Sequence, residues 1–142
     1  MYRLRYAGRR CDRPAISACM PWTDAETPLS VLRAEVLAFN TERDWAQYHS
    51  PRNLAMAVSA EAGELLALYL WSADGGPQPP VASRAPKVEE EAADVLISLL
   101  NLCNAAGIDL SAAVERKLAA NALRYPVDAA RGRLEKYSEL EG

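Results

Sequence analysis

The chain has 142 residues, half of them hydrophobic, with 7% aromatic side chains and a net charge of -3. Such a length supports one domain with a real core, and the shortage of β-branched and aromatic residues favours packed helices over sheets. With 16 basic against 19 acidic residues there is no basic surface for nucleic acid, so a small phosphorylated ligand is the anionic partner to consider.

Residues 1–27 carry arginines but no continuous apolar run, which argues against a secretory signal, and they are expected to form a disordered extension. The helical domain is expected over residues 28–126. Its first helix opens with Thr27 as N-cap and Pro28 at the first helical position, runs through Leu29, Leu32, Val36 and Phe39, and frays near Asn40. A polar connection follows, Thr41 to His49, holding Trp45 and Tyr48. Ser50-Pro51 repeats the cap-and-proline signal and starts a second helix that ends near Trp71. The apolar run Leu54 to Trp71 has membrane-spanning length, but Glu61 and Glu64 near its centre mark a core helix and no membrane segment.

The Gly- and Pro-rich stretch Ser72 to Pro86 reads as a surface loop. A third helix is expected from Lys87 to Gly107, a suitable C′ residue. Asp109 caps a fourth, Leu110 to about Tyr125, with Pro126 just beyond. The tail, 127–142, is polar and expected to be mobile. Cys11, Cys19 and Cys103 share no metal-ligand spacing, so they point to free thiols in a reducing cytoplasm, with Cys103 as a small core residue.

Two acid pairs carry the chemistry. The second helix holds Glu61 and Glu64, and the third holds Glu91 and Asp94. Residues three apart project from nearly one helix face. The apolar stripe of the second helix is Leu54, Ala57, Val58, Leu65 and Leu68, and Glu61 interrupts it; that of the third is Val88, Ala92, Val95, Leu99 and Leu102, and Glu91 and Asp94 border it. Both pairs are therefore expected to face inward. Ionised carboxylates brought together out of water are costly, and neither stripe holds a Lys or Arg to neutralise them. A divalent cation removes that cost, and an oxygen-only donor set suits Mg²⁺ or Mn²⁺ better than zinc. Ala62, Gly63, Ala92 and Ala93 would let the two helices approach. A single such pair usually lies on a solvated face, and Glu89 and Glu90 fit that description as first-turn acids favoured by the helix dipole.

This arrangement resembles the MazG-like nucleotide pyrophosphohydrolases, whose signature is ExxE, a spacer, then ExxD on the next helix. Further segments resemble the dCTP-pyrophosphatase-like branch: Arg43-Asp44-Trp45-Ala46-Gln47-Tyr48-His49, Pro51-Arg52-Asn53-Leu54-Ala55, Leu70-Trp71, and Glu90 through Ile97. Lys117, Asn121, Arg124, Tyr125 and Pro126 fit the KxxxNxxRYP ending, followed by Arg131-Gly132. The match runs from about Leu29 to Gly132.

The resemblance implies an all-α, four-helix MazG-like bundle assembling as a homotetramer, a dimer of dimers with sites near subunit interfaces. It implies hydrolysis of a (deoxy)nucleoside triphosphate to the monophosphate and pyrophosphate, dCTP or a modified dCTP being the expected substrate. Metal would be held by Glu61, Glu64, Glu91 and Asp94, and Glu61 or Glu64 would orient or deprotonate the attacking water. Trp45 and Trp71 would stack on the base, His49 and Asn53 would hydrogen-bond its edge or the sugar, and Lys117, Asn121, Arg124 and Tyr125 would reach phosphate or sugar. The bland counterparts are packing for the tryptophans and a solvated face for the fourth helix.

Ser98 departs from the family pattern, which often has Tyr there, and so leaves the preference for cytosine open. A dUTP pyrophosphohydrolase is the alternative among enzymes. A non-catalytic oligomerisation module is the alternative outside them, and four retained acids argue against it. A di-iron protein would need ExxH pairs, and His49 is the only histidine.

Overall fold

The computed structural model describes residues 22–70 and 85–139, and among these only helices and turns occur. Helix α1 spans Leu29–Thr41, α2 Pro51–Ala67, α3 Ala85–Ala106, α4 Leu110–Arg124 and the short α5 Val127–Ala130. A 3₁₀ turn, Trp45–Tyr48, joins α1 to α2, and another lies at Tyr137–Glu139. No single helix among them is long and apolar enough to cross a membrane.

The caps read from the sequence mostly form. The Ser50 hydroxyl accepts from the Asn53 amide at 3.2 Å, and the Asp109 carboxylate accepts from the Ala112 amide at 3.0 Å; each satisfies a donor the helix itself cannot. Gly107, at φ 65°, reverses the chain after α3. The amides of Ile108 and Gly107 then bond the carbonyls of Cys103 and Asn104 at 2.9 and 3.4 Å, a Schellman ending that uses the left-handed freedom of glycine. At α1 the expected cap shifts by one residue: Pro28 is the N-cap, and the Thr27 hydroxyl accepts from the Thr23 amide at 3.0 Å. Because α3 begins at Ala85, its first turn holds no acid, so Glu89 and Glu90 are not the dipole-stabilised first-turn acids expected.

The main seam lies between α2 and α3, and α1 packs on α3. Leu54, Leu100 and Cys103 form the buried core, and beyond Leu54 the expected stripe of α2, including Glu61, is half-buried. On α1 the stripe turns at its last residues. Asn40, not Phe39, is buried against α3, and its Nδ2 donates to Asn101 Oδ1 at 2.6 Å. One end of the same seam is fixed by Arg33 Nε donating to Asn104 Oδ1 (2.9 Å) and Asn104 Nδ2 donating to the Arg33 carbonyl (3.1 Å). Buried polar atoms here all have partners, which is what makes such a polar seam tolerable.

The expected four-helix bundle is not closed by one chain. α4 leaves α3 at 103° and makes only slight contact with the first three helices. Its apolar residues therefore stand out: Leu118 is 62% and Leu123 84% exposed, beside Val114. The turn at Gly107 and Asp109 sets that direction, and helical periodicity records an apolar face without recording what it packs against. The tail is tied back to the end of α4, the Tyr125 and Tyr137 rings meeting edge-on at 5.9 Å.

Candidate active site

Three of the four acids come together. Glu61 and Glu64 from α2 and Glu91 from α3 place one carboxylate oxygen each within 4.8 Å of the others. The α2–α3 seam supplies this convergence: Glu61 and Glu91 are half-buried on the faces that meet, and Glu64 lies at the exposed edge. Asp94 is half-buried one turn along α3 but is not among the three converging oxygens. Its charge still reaches Glu91. Partial desolvation, followed by the charges of Glu64, Asp94, Glu61 and Glu90, pushes the Glu91 carboxyl above the usual carboxylate range.

Such a cluster is unfavourable unless something positive joins it. The donor set is all carboxylate oxygen, at a spacing that one hard divalent cation can span with water completing its shell. Magnesium fits this set, and a soft-ligand metal does not. Two shallow surface hollows lie elsewhere, one walled by Ala34, Leu37 and Thr41, the other by Arg33, Ile108 and Ser111. Neither includes an acid of the cluster or converging polar groups of comparable charge, so the acids mark the site in spite of their open setting.

The small residues between the acids act differently from expectation. A Cβ built on Gly63 would meet no atom within 4 Å, and Ala62, Ala92 and Ala93 are exposed. They do not bring α2 and α3 together; they leave open ground beside the carboxylates.

Trp45, His49 and Asn53 form a second group at the start of α2. Trp45, 43% exposed, meets Phe39 at 5.8 Å and His49 at 6.5 Å between ring centroids, with interplanar angles of 74° and 64°. No ring lies parallel to the indole in these two pairs. Asn53 Nδ2 donates to the Tyr48 carbonyl at 3.0 Å, which fastens the connection to α2. Asn53 and Glu61 are separated by about 12 Å of helix axis, a reach suited to a ligand with one aromatic end and one charged end.

The residues of α4 stand apart from both groups. Lys117 and Arg124 are exposed, Asn121 and Tyr125 flank the same end, and the Arg124 guanidinium lies 5.3 Å from the Tyr137 ring. Within one chain they are not brought to the acids, because α4 turns away. Trp71 lies outside the described residues. Two features outside the expected site are the part-buried Asn40–Asn101 pair and the left-handed backbone at Asp44 (φ 51°). Asn101 and Asn104, three apart amid an apolar run, were the available signal for the first.

Residues 56–140 match the MazG-like family. Over 117 residues, 81% of this chain and 69% of the relative, the sequence is 42% identical to dCTP pyrophosphatase 1 of Homo sapiens. It is 41% identical over the same shares to dCTP pyrophosphatase 1 of Rattus norvegicus. Among solved structures, a pyrophosphatase from Archaeoglobus fulgidus superposes with a TM-score of 0.65 at 39% identity, covering 69% of this chain and 92% of that one. The acid cluster on an all-helical frame and these similarities agree: the chain belongs to the MazG-like family of nucleotide pyrophosphohydrolases.

Proposed function

We propose that the protein hydrolyses dCTP, or a dCTP modified on its base, to the monophosphate and pyrophosphate with Mg²⁺, clearing surplus or non-standard deoxynucleotides in the cytoplasm. The observation that carries this reading is the convergence of Glu61, Glu64 and Glu91 within 4.8 Å, with Asp94 close enough to add its charge. These four acids would hold the ion, which when bound offsets the triphosphate charge and acidifies water. Glu61 or Glu64 orients the attacking water and takes its proton. That water's oxygen bonds to phosphorus as the anhydride bond between the α and β phosphates breaks and pyrophosphate leaves.

The base stacks on Trp45, with Trp71 a second aromatic contact and His49 at the base edge or sugar. Lys117, Asn121, Arg124 and Tyr125 serve the phosphates or sugar of a neighbouring copy. That assignment is supported by the outward course of α4 and by its exposed Leu118 and Leu123, since large exposed apolar surface marks an interface. Met56, 65% exposed on α2, and Leu96 and Ile97 on α3 support a further contact, and together they support a homotetramer built as a dimer of dimers. The catalytic unit is taken as residues 28–126, flanked by the tail.

The test is product analysis across dCTP, base-modified dCTPs, dUTP and the purine dNTPs with Mg²⁺. Monophosphate and pyrophosphate, released fastest from cytosine nucleotides, are the expected outcome. Fastest release from dUTP would overturn the base assignment, for which Ser98, small and buried on α3, is the residue to examine.

A further inference from the structure

The segment between α1 and α2 contains the one described non-glycine residue with positive φ, Asp44 (φ 51°, ψ 37°). Asp tolerates this left-handed region better than most residues, but the conformation still needs local support. Gln47 provides it. Its Nε2 donates to both the Asp44 carbonyl at 2.9 Å and the Asp44 carboxylate Oδ2 at 3.1 Å. Both acceptors belong to the residue that reverses the chain, so one amide latches the turn closed.

What the turn aims is Trp45, the next residue. After α1 ends, the reversal at Asp44 carries the 3₁₀ turn back so that the indole meets Phe39 of the last turn of α1 edge-on at 5.8 Å. Phe39 is itself fixed. Arg43 Nη1 donates to the Phe39 carbonyl at 2.8 Å, and its guanidinium carbon sits 3.5 Å from the centre of the Phe39 ring, a cation–π contact. Trp45 is thus held from two directions, by a backbone reversal before it and a clamped ring beside it, while still 43% exposed. Holding a large exposed aromatic in one pose lowers the ordering cost of a ligand that stacks on it.

We propose that Asp44 and Gln47 are positioning residues for nucleotide recognition, acting through Trp45: the latched left-handed turn presets the indole on which the base stacks. This rests on the assignment of Trp45 to the base given above. Both residues lie in the connection before α2, whereas the converging acids stand further along α2 and on α3. Their loss therefore weakens substrate binding and leaves the chemical step alone.

The experiment measures kcat and KM for dCTP in the full chain for Trp45→Ala, Gln47→Ala, Asp44→Ala and Asp44→Asn, with Mg²⁺-induced thermal shifts alongside. Gln47→Ala and Asp44→Ala are expected to raise KM about tenfold, the order of one base–aromatic stacking contact, with kcat within about twofold of wild type and the Mg²⁺ shift intact. Asp44→Asn should restore a wild-type KM, because Asn also adopts the left-handed conformation and its side-chain oxygen can accept from Gln47. Should Asp44→Ala fail to fold, the exposed Gln47 decides the matter alone. If Trp45→Ala raises KM while Gln47→Ala leaves it unchanged, the positioning role is wrong and the base assignment stands. If Trp45→Ala leaves KM unchanged, the base assignment itself fails. A fall in kcat equal to the rise in KM, or failure of Asp44→Asn to rescue, would show a merely structural turn and overturn the proposal.

Discussion

Glu61 and Glu91 stand on consecutive helices, yet their carboxylate oxygens approach within 4.8 Å of each other and of Glu64. Packing along α2 and α3 holds these like charges together, so the folded protein carries a repulsion that the unfolded chain relieves. A cation held by this cluster would convert that liability into stability, because the unfolded chain does not keep the three carboxylates together.

Added Mg²⁺ should therefore raise the melting temperature, and a chelator should reverse the rise. An ion at about 100 times its Kd would stabilise the fold by about 2.7 kcal/mol. Glu91→Gln should have opposite effects in the two conditions, making the metal-free protein more stable and the Mg²⁺-dependent rise smaller. A thermal scan with and without metal reads both; an unchanged Mg²⁺ shift in Glu91→Gln would remove Glu91 from the ligand set.

The raised proton affinity of Glu91 fixes the sign of a pH effect. Partial desolvation and the neighbouring acids hold its proton more tightly in the folded than in the unfolded protein. Stability of the metal-free protein should then rise as pH falls through the folded pKa, and the gain should be complete below the unfolded one. Glu91→Gln should lack this component, so the difference between the two proteins should shrink towards acid pH. Denaturant titrations at a series of pH values, with chelator present, check this.

The Asn40–Asn101 pair gives a stability prediction remote from the acids. Asn101→Leu leaves the buried Asn40 amide without its acceptor and should cost about 1–3 kcal/mol. Replacing both asparagines with Leu should cost less than the sum of the single changes, since no polar group is then stranded. Leu100→Ala, at a side chain only 1% exposed, should cost about 2–5 kcal/mol. Equilibrium urea unfolding measures all of these.

Much of this was legible in the sequence, for identifiable reasons. Ser50 and Asp109 announce helix starts because their oxygens complete donors the helix cannot, and Gly107 announces an end because it takes a positive φ. The acids of α2 were readable because Glu61 interrupts an otherwise apolar stripe. Three features were not readable. Periodicity could not show that α4 swings out at 103°, because an apolar face looks the same whether its own chain or a second copy covers it. It also put Phe39 in place of Asn40 against α3, since an amide buried by pairing with another amide leaves no hydrophobic signal. The small residues around Glu64 looked like contact residues when they border open space.

Self-association should respond to α4. Leu123→Glu with Leu118→Glu places charge on side chains that are 84% and 62% exposed in the single chain. These changes should shift sedimentation towards smaller species and lower pyrophosphate release in parallel, if Lys117, Asn121 and Arg124 serve a neighbouring site. Dissociation with full activity would return those three residues to an ordinary solvated face.

Whether the carboxylate cluster carries out triphosphate hydrolysis is read from pyrophosphate release from dCTP at saturating Mg²⁺, comparing wild type with Glu64→Gln. Glu64 is exposed, so this change should leave the fold intact. Release by the wild type that falls by about two orders of magnitude or more in the variant, the scale of losing a general base, is the expected result. A variant as active as the wild type, or a folded wild type that releases no pyrophosphate, would contradict it.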